Sequence, residues 1–243
     1  MMNNGLQTRV LALVTHDLRN PLHTIGLTLN LVEQLTDDRS DLDEELRVIR
    51  MNLFQMERML KHLADYAQLI QQESRSRYNR EAFDPRRLVD AVVEEQLSKR
   101  PPTTSTSLKN PFARWESLGN CPERVDLDQS LTRLALSLAL SNTLDAAGDK
   151  PARVVLDGKD NRLLIRFETD VSPPSSLSSS SLEPDRFNRL LGVPGERVGL
   201  ELAVVARVSA IFGGSARLDV NPGSGTAIVL DWPTSLPEKT EDR

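Results

Sequence analysis

The stretch Asp41–Ile70, DLDEELRVIRMNLFQMERMLKHLADYAQLI, places Leu42, Leu46, Ile49, Leu53, Met56, Leu60, Leu63, Ala67 and Ile70 at alternating steps of four and three residues. All nine positions of this seam are apolar, which predicts a long helix in a supercoiled bundle. The chain before it repeats the rule more loosely. Leu11, Val14, Leu18, Ile25, Val32 and Leu35 fall on one seam, with Pro21 and Thr28 at its two remaining positions. The polar run Thr36–Asp41 separates the two patterns, so they read as an antiparallel helical hairpin. One hairpin cannot bury both seams, and a second copy completing a four-helix bundle makes a homodimer the expectation.

From Gln71 to Arg80 the period is lost and the chain turns polar, as in a linker. A mixed pattern follows. A helix is expected through Val89–Leu97, after Phe83-Asp84-Pro85, and another over Leu131–Ala147. Residues 100–127 read as irregular, with one or two strands. Strands Ala152–Leu156 and Arg162–Glu168 flank the turn Asp157–Asn161. Residues 172–184 form a Ser/Pro-rich loop. A helix over Leu200–Phe212 stops at Gly213-Gly214, and strands Ala216–Val220 and Ala227–Trp232 close the domain. The expected fold is α+β: a hairpin over 1–75, a linker over 76–82, a mixed domain over 83–236 and a tail over 237–243.

Composition narrows the function. The chain has 243 residues, 39% hydrophobic and 27% charged, with a formal net charge of -5. That charge gives no footprint for nucleic acid and disfavours an anionic membrane surface. No run approaches the roughly 20 apolar residues of a membrane span. Met1–Gly5 lacks the basic and apolar parts of a signal peptide, and Cys121 is the single cysteine, which fits a reducing cytoplasm. Nothing ahead of the first helix reads as a sensor. The expectation is either a sensorless protein or a part of a longer one.

The residues with chemistry lie in His16-Asp17-Leu18-Arg19-Asn20-Pro21-Leu22. His16 stands two residues past the seam position Val14, so at about 100° per residue it projects about 200° away, out of the bundle. Asp17 suits the orienting of one ring nitrogen, or the role of general base, while the other nitrogen attacks. Asn20 faces the same side and suits the positioning of a water. Pro21 costs about 3 kcal/mol or more inside a helix and kinks it one turn beyond His16, a cost that function explains. His23 and His62 lack this context and read as ordinary side chains.

This heptapeptide resembles the H-box of sensor histidine kinases, including their acid-x-x-Asn/Thr phosphatase element. The second half resembles the ATP-binding domain of the same family, an α/β sandwich of the Bergerat type, from about Phe83 to Pro233. The resemblance implies that Asn142, in Leu138-Ala139-Leu140-Ser141-Asn142-Thr143-Leu144-Asp145, matches the N-box residue that ligates Mg²⁺. Leu138 stands where the family usually has another polar residue. Asp170 matches the aspartate that accepts a hydrogen bond from adenine. The glycines that follow it in the family are replaced within Val171-Ser172-Pro173-Pro174, and proline supplies neither close approach nor unusual dihedrals. In the next glycine box, aligned with Arg197–Leu202, only Gly199 survives. Glu201 brings a negative charge to a helix start that favours phosphate, and Arg197 partly compensates. Phe187-Asn188-Arg189 weakly resembles the aromatic edge of the nucleotide lid, and Phe212-Gly213-Gly214 to Pro222–Thr226 matches the closing turns.

The resemblance implies a two-component phosphorelay protein. His16 takes a phosphoryl group and exchanges it with an aspartate of a response-regulator receiver domain. The lost glycines favour a histidine phosphotransferase or a weakly active kinase, with binding of ATP and Mg²⁺ weak or absent. The alternative is a non-enzymatic adaptor that heterodimerises with a true histidine kinase. An ATPase or serine kinase with the same nucleotide fold would need neither the hairpin nor the H-box.

Overall fold

A computed structural model describes residues 21–29, 31–32, 39–75, 78–99, 113–148, 150–171, 179–182, 200–221 and 225–235. The chain divides into two compact units between Gln68 and Leu69.

Residues 21–29 and 31–32 of the first unit are helical (α1), and α2, Arg39–Arg75, begins in that unit and ends in the second. At 1.5 Å per residue α2 is about 55 Å long. In α1 the expected seam holds: Pro21 and Thr28 are buried, and Ile25 and Val32 half-buried. The Thr28 hydroxyl donates to the Thr24 carbonyl at 2.9 Å. In α2 the deepest burial falls one position before the expected seam, on His62, Tyr66 and Leu69. Leu53 and Leu60 remain 48% and 50% exposed, as do Leu22, Leu27, Leu29, Leu31, Met51 and Phe54 at similar or greater levels. Ordinary monomers scatter such residues, whereas here they fall on two consecutive helices.

Among the described residues the second unit is a six-stranded sheet under three helices. In chain order it contains β1 (Arg80–Phe83), α3 (Pro85–Ser98), β2 (Ala113–Ser117), β3 (Val125–Asp128), α4 (Gln129–Ala147), β4 (Ala152–Lys159), β5 (Arg162–Thr169), β6 (Ser180–Ser181), α5 (Leu200–Ile211), β7 (Ser215–Asn221) and β8 (Gly225–Pro233). The sheet runs β2-β4-β5-β8-β7-β6, with only β2 and β4 parallel, and β1 pairs β3 in a separate two-stranded ladder. Two elements depart from expectation. The end of the expected 76–82 linker is strand β1, because its register with Val125–Asp128 supplies the backbone partners. The Ser-rich loop contains β6, which borrows its ladder from β7. Neither segment alternates apolar and polar residues, so no local pattern announced them.

Local chemistry explains the other boundaries. The Asp84 carboxylate accepts from the Arg86 N–H at 2.9 Å with Pro85 in the first turn, an N-terminal arrangement that suits α3. Asp128 caps α4 by accepting from Leu131 N–H at 3.1 Å, and its second oxygen accepts from Asn79 N–H at 2.9 Å. The expected five-residue turn after β4 is two residues long. Asp160 and Asn161 both adopt positive φ, 51° and 62°, the geometry of a tight hairpin. α5 ends as predicted: Gly214 N–H donates to Ser209 C=O and Gly213 N–H to Ala210 C=O, with Gly213 at φ 70°.

α4 and α5 pack on the inner sheet face, against each other and against β4, β5, β7 and β8. Inward residues alternate along each strand, as Leu163, Ile165 and Phe167 do beside Trp232, Leu230 and Ile228. Trp232 is fully buried, stacks edge-on against Phe212 at 5.2 Å, and donates from Nε1 to the Ser209 hydroxyl at 2.8 Å. The outer face instead carries a chain of charges: Glu116 to Arg153, Arg153 to Glu168, Glu168 to Arg166, Arg166 to Asp219, and Asp219 to Arg217. Arg166 and Arg217 flank fully buried Val229 in register. Arg86 ties α3 to the next loop, donating to Ser117 Oγ, Pro122 C=O and Cys121 C=O. Burial pushes the Cys121 thiol up, as befits an inert core residue.

Gly225 sits at φ 112°, and a Cβ there would lie 1.9 Å from the Thr169 carbonyl oxygen. Gly225→Ala should therefore destabilise the domain by more than about 2 kcal/mol, from strain and overpacking together. Thermal unfolding at the wild-type temperature would refute this. In the first unit, burial is the main cause that holds the His62 pKa down to about 4, with Arg58 adding to it. The unfolded chain takes up that proton first, near pH 6.5. The neutral-His62 contribution, roughly 3 kcal/mol, is therefore complete above pH 6.5 and fades as pH falls towards 4. Urea titrations at pH 7 and pH 4.5 should show the loss, and His62→Gln should shrink it.

Candidate functional site

Four of the expected site residues, His16, Asp17, Asn20 and Gly199, lie outside the described residues, as do Arg197 and Phe187–Arg189. Of the other histidines, His23 is exposed on α1, whereas His62 is 8% exposed and unsuited to accepting a group from a partner. The two remaining expected residues, Asn142 and Asp170, are described.

Asp170 follows β5 and is exposed. Its position is set from both sides in sequence. The buried Thr169 hydroxyl accepts from Val171 N–H at 3.3 Å, turning the chain at Asp170. Gly225 packs its backbone directly on Thr169 and Asp170, which only a residue without Cβ permits. The Asp170 charge also reaches Arg153, whose pKa is held up first by its bond to Glu116 and then by Glu168 and Asp170.

Asn142 is on α4, which leans on α5. Its Nδ2 donates to Glu201 Oε2 at 3.3 Å, and its buried Oδ1 has no hydrogen-bond partner. Glu201 is in the first turn of α5 and only 4% exposed. Leu138, one turn before Asn142, is buried among the apolar residues of α4 and offers no donor. The pairing of Asn142 with Glu201 escaped the sequence reading, because 59 residues separate the two. Its one sequence signal is an acid at an expected glycine position.

Chemically, the arrangement sets an amide, bonded through its nitrogen, beside one carboxylate in the first turn of α5. Oxygen donors of this kind suit a hard cation, but a buried carboxylate opposes a phosphate group in the same place. Among the described residues no cluster of three or more His, Cys, Asp or Glu side chains forms a metal site. An open cavity of about 740 Å³ lies elsewhere, lined by Arg86, Arg87, Arg124 and Arg133 with Asp84 and Glu123, and contains neither Asn142 nor Asp170. No described helix is long and apolar enough to cross a membrane.

No family model matches the chain. A curated relative, the methanogenesis regulatory histidine kinase FilI of Methanothrix harundinacea (strain 6Ac), is 26% identical over 95% of this chain. The chain spans about a quarter of the length of that relative. Among solved structures, histidine kinase ThkA in complex with the response regulator protein TrrA superposes with a TM-score of 0.67 at 18% identity. The match covers 95% of this chain and 63% of that one. The Acinetobacter baumannii histidine kinase AdeS gives 0.57 at 15% identity, covering 90% and 98% of the two chains. ShkA in complex with AMPPNP gives 0.56 at 16% identity, covering 95% and 46%. These likenesses span both units, and the chain has the fold of a sensor histidine kinase core: a helical unit followed by an α/β sandwich of the kinase ATPase type.

Proposed function

We propose that the chain works in a two-component phosphorelay, with His16 as phosphoacceptor and a response-regulator receiver domain as its partner. The observation that carries this reading is the sequence His16-Asp17-Leu18-Arg19-Asn20-Pro21-Leu22, which runs into α1 at Pro21, in a chain of this fold. In the transfer, a ring nitrogen of His16 attacks the phosphorus of an aspartyl phosphate. One P–O bond breaks, one P–N bond forms, and the receiver's aspartate leaves as carboxylate. Asp17 holds the other ring N–H, so the attacking nitrogen keeps its lone pair. Asn20, three residues on, positions water for the reverse task of dephosphorylation. Such transfers need positioning more than covalent help.

The nucleotide side supports a phosphotransferase, or a weakly active kinase, over a vigorous kinase. The described residues do not fit a magnesium triphosphate well. Asn142 turns its nitrogen, not a free oxygen, toward a buried carboxylate, and Leu138 supplies no second donor. Weak or absent binding of ATP and Mg²⁺ follows, with Asn142, Asp170 and Gly199 as the outline of the site. The exposed apolar residues of α1 and α2 support assembly into a four-helix bundle by two copies. The same surface supports the second reading, an adaptor that pairs with a true histidine kinase. A cytoplasmic location belongs to either reading.

Two outcomes test this. Leu53 is half exposed in the single chain, so Leu53→Asp should leave the hairpin folded yet dissociate the dimer, where the charge would be buried without a partner. Ultracentrifugation showing a monomeric wild type, or a dimeric variant, would remove the homodimer. His16→Ala should abolish labelling by a phosphorylated receiver domain with circular dichroism unchanged, and Asp17→Asn should slow it. Labelling that persists in His16→Ala would move the acceptor to exposed His23 and discard the proposed role of His16. A wild type that takes no phosphoryl group but forms a mixed dimer with a kinase would establish the adaptor.

A further inference from the structure

We infer that Glu201 is a built-in occupant of the anion position at the start of α5, and that it, more than the missing glycines, keeps a magnesium nucleotide out. The inference rests on the weak-site reading above and assigns its cause to one side chain. α5 has twelve residues, and its first turn lies at the positive end of a helix dipole. Glu201 stands in that turn and is 4% exposed, a carboxylate withdrawn from water at the place where an external anion would be drawn.

The second observation is on the neighbouring helix. A carboxylate only accepts hydrogen bonds, so Asn142 must present its Nδ2, which it does at 3.3 Å. With that choice Oδ1 is left in a buried position with no hydrogen-bond partner. A buried amide oxygen left unbonded is unfavourable, so the carboxylate dictates the amide's orientation against the amide's own interest. One residue thereby acts twice. It places negative charge at the helix start, where like charges repel strongly in a poorly solvated site, and it engages the candidate cation ligand through its nitrogen. The glycine expected at this position would do neither.

The test is calorimetry on the full chain with Mg²⁺ and a non-hydrolysable ATP analogue. Glu201→Gly should bind at least tenfold tighter than the unsubstituted chain, and adding Asn142→Ala to it should remove the gain. Glu201→Gln keeps the side chain's size and removes its charge, so it should show a smaller gain with thermal unfolding unchanged. Weak binding in the unsubstituted chain that neither variant improves, both being folded, would overturn the role of Glu201 and leave the weak-site reading standing. Micromolar binding by the unsubstituted chain would overturn both. A parallel titration with Mg²⁺ alone should show no binding; binding that Glu201→Gln abolishes would make the pair a cation site and overturn the inference.

Discussion

The inner face of the six-stranded sheet must be kept from water, and the way it is covered positions everything else in the second unit. Residues such as Ile165, Phe167, Ile228 and Leu230 are almost completely buried beneath the helical layer. α5 is apolar on nearly all sides, so it can only lie inside, and Trp232, Phe212 and Ser209 pin it to β8. With α5 held there, α4 fills the adjoining space and the two helices touch. The meeting of Asn142 and Glu201 is a consequence of this packing. No local rule of either helix brings it about.

The magnitudes separate the many polar interactions into decoration and determinant. The charge chain across the outer sheet face is long, but its members are partly solvated, and such pairs contribute about 0–1 kcal/mol each. Their effect is to hold a wide sheet surface in solution without an apolar patch. A single buried, unbonded amide oxygen costs about 1–3 kcal/mol, more than any one of those pairs contributes. A fold that keeps Asn142 in that state does so because Glu201 is beside it.

The helical unit is governed by a different constraint, an apolar surface larger than its own hairpin hides. Burial in the single chain concentrates on His62, Tyr66 and Leu69, one position off the heptad seam, and leaves Leu53 and Leu60 half exposed. Two registers on one helix have a physical meaning. One row is buried within the chain, and the adjoining row is left half exposed in it. The buried His62 ring adds a polar group to the first row, kept neutral by its surroundings.

Much of the fold was legible because its causes are local. The four-three spacing of Leu42 to Ile70, the Asp84 and Asp128 caps, the Gly213-Gly214 stop and the alternation of Leu163, Ile165 and Phe167 each act over a few residues. So does the chemistry of His16–Leu22, which stands in the sequence as a continuous motif. What the sequence by itself determined was therefore the helical period, the helix ends and the main strands. Tertiary structure alone decided the rest. β1 and β6 exist because distant strands supply their hydrogen bonds, Gly225 matters because Thr169 passes beneath it, and Asn142 faces Glu201 because two helices share one sheet. Each of these joins residues far apart in the chain, and such contacts are created only when the core closes around them.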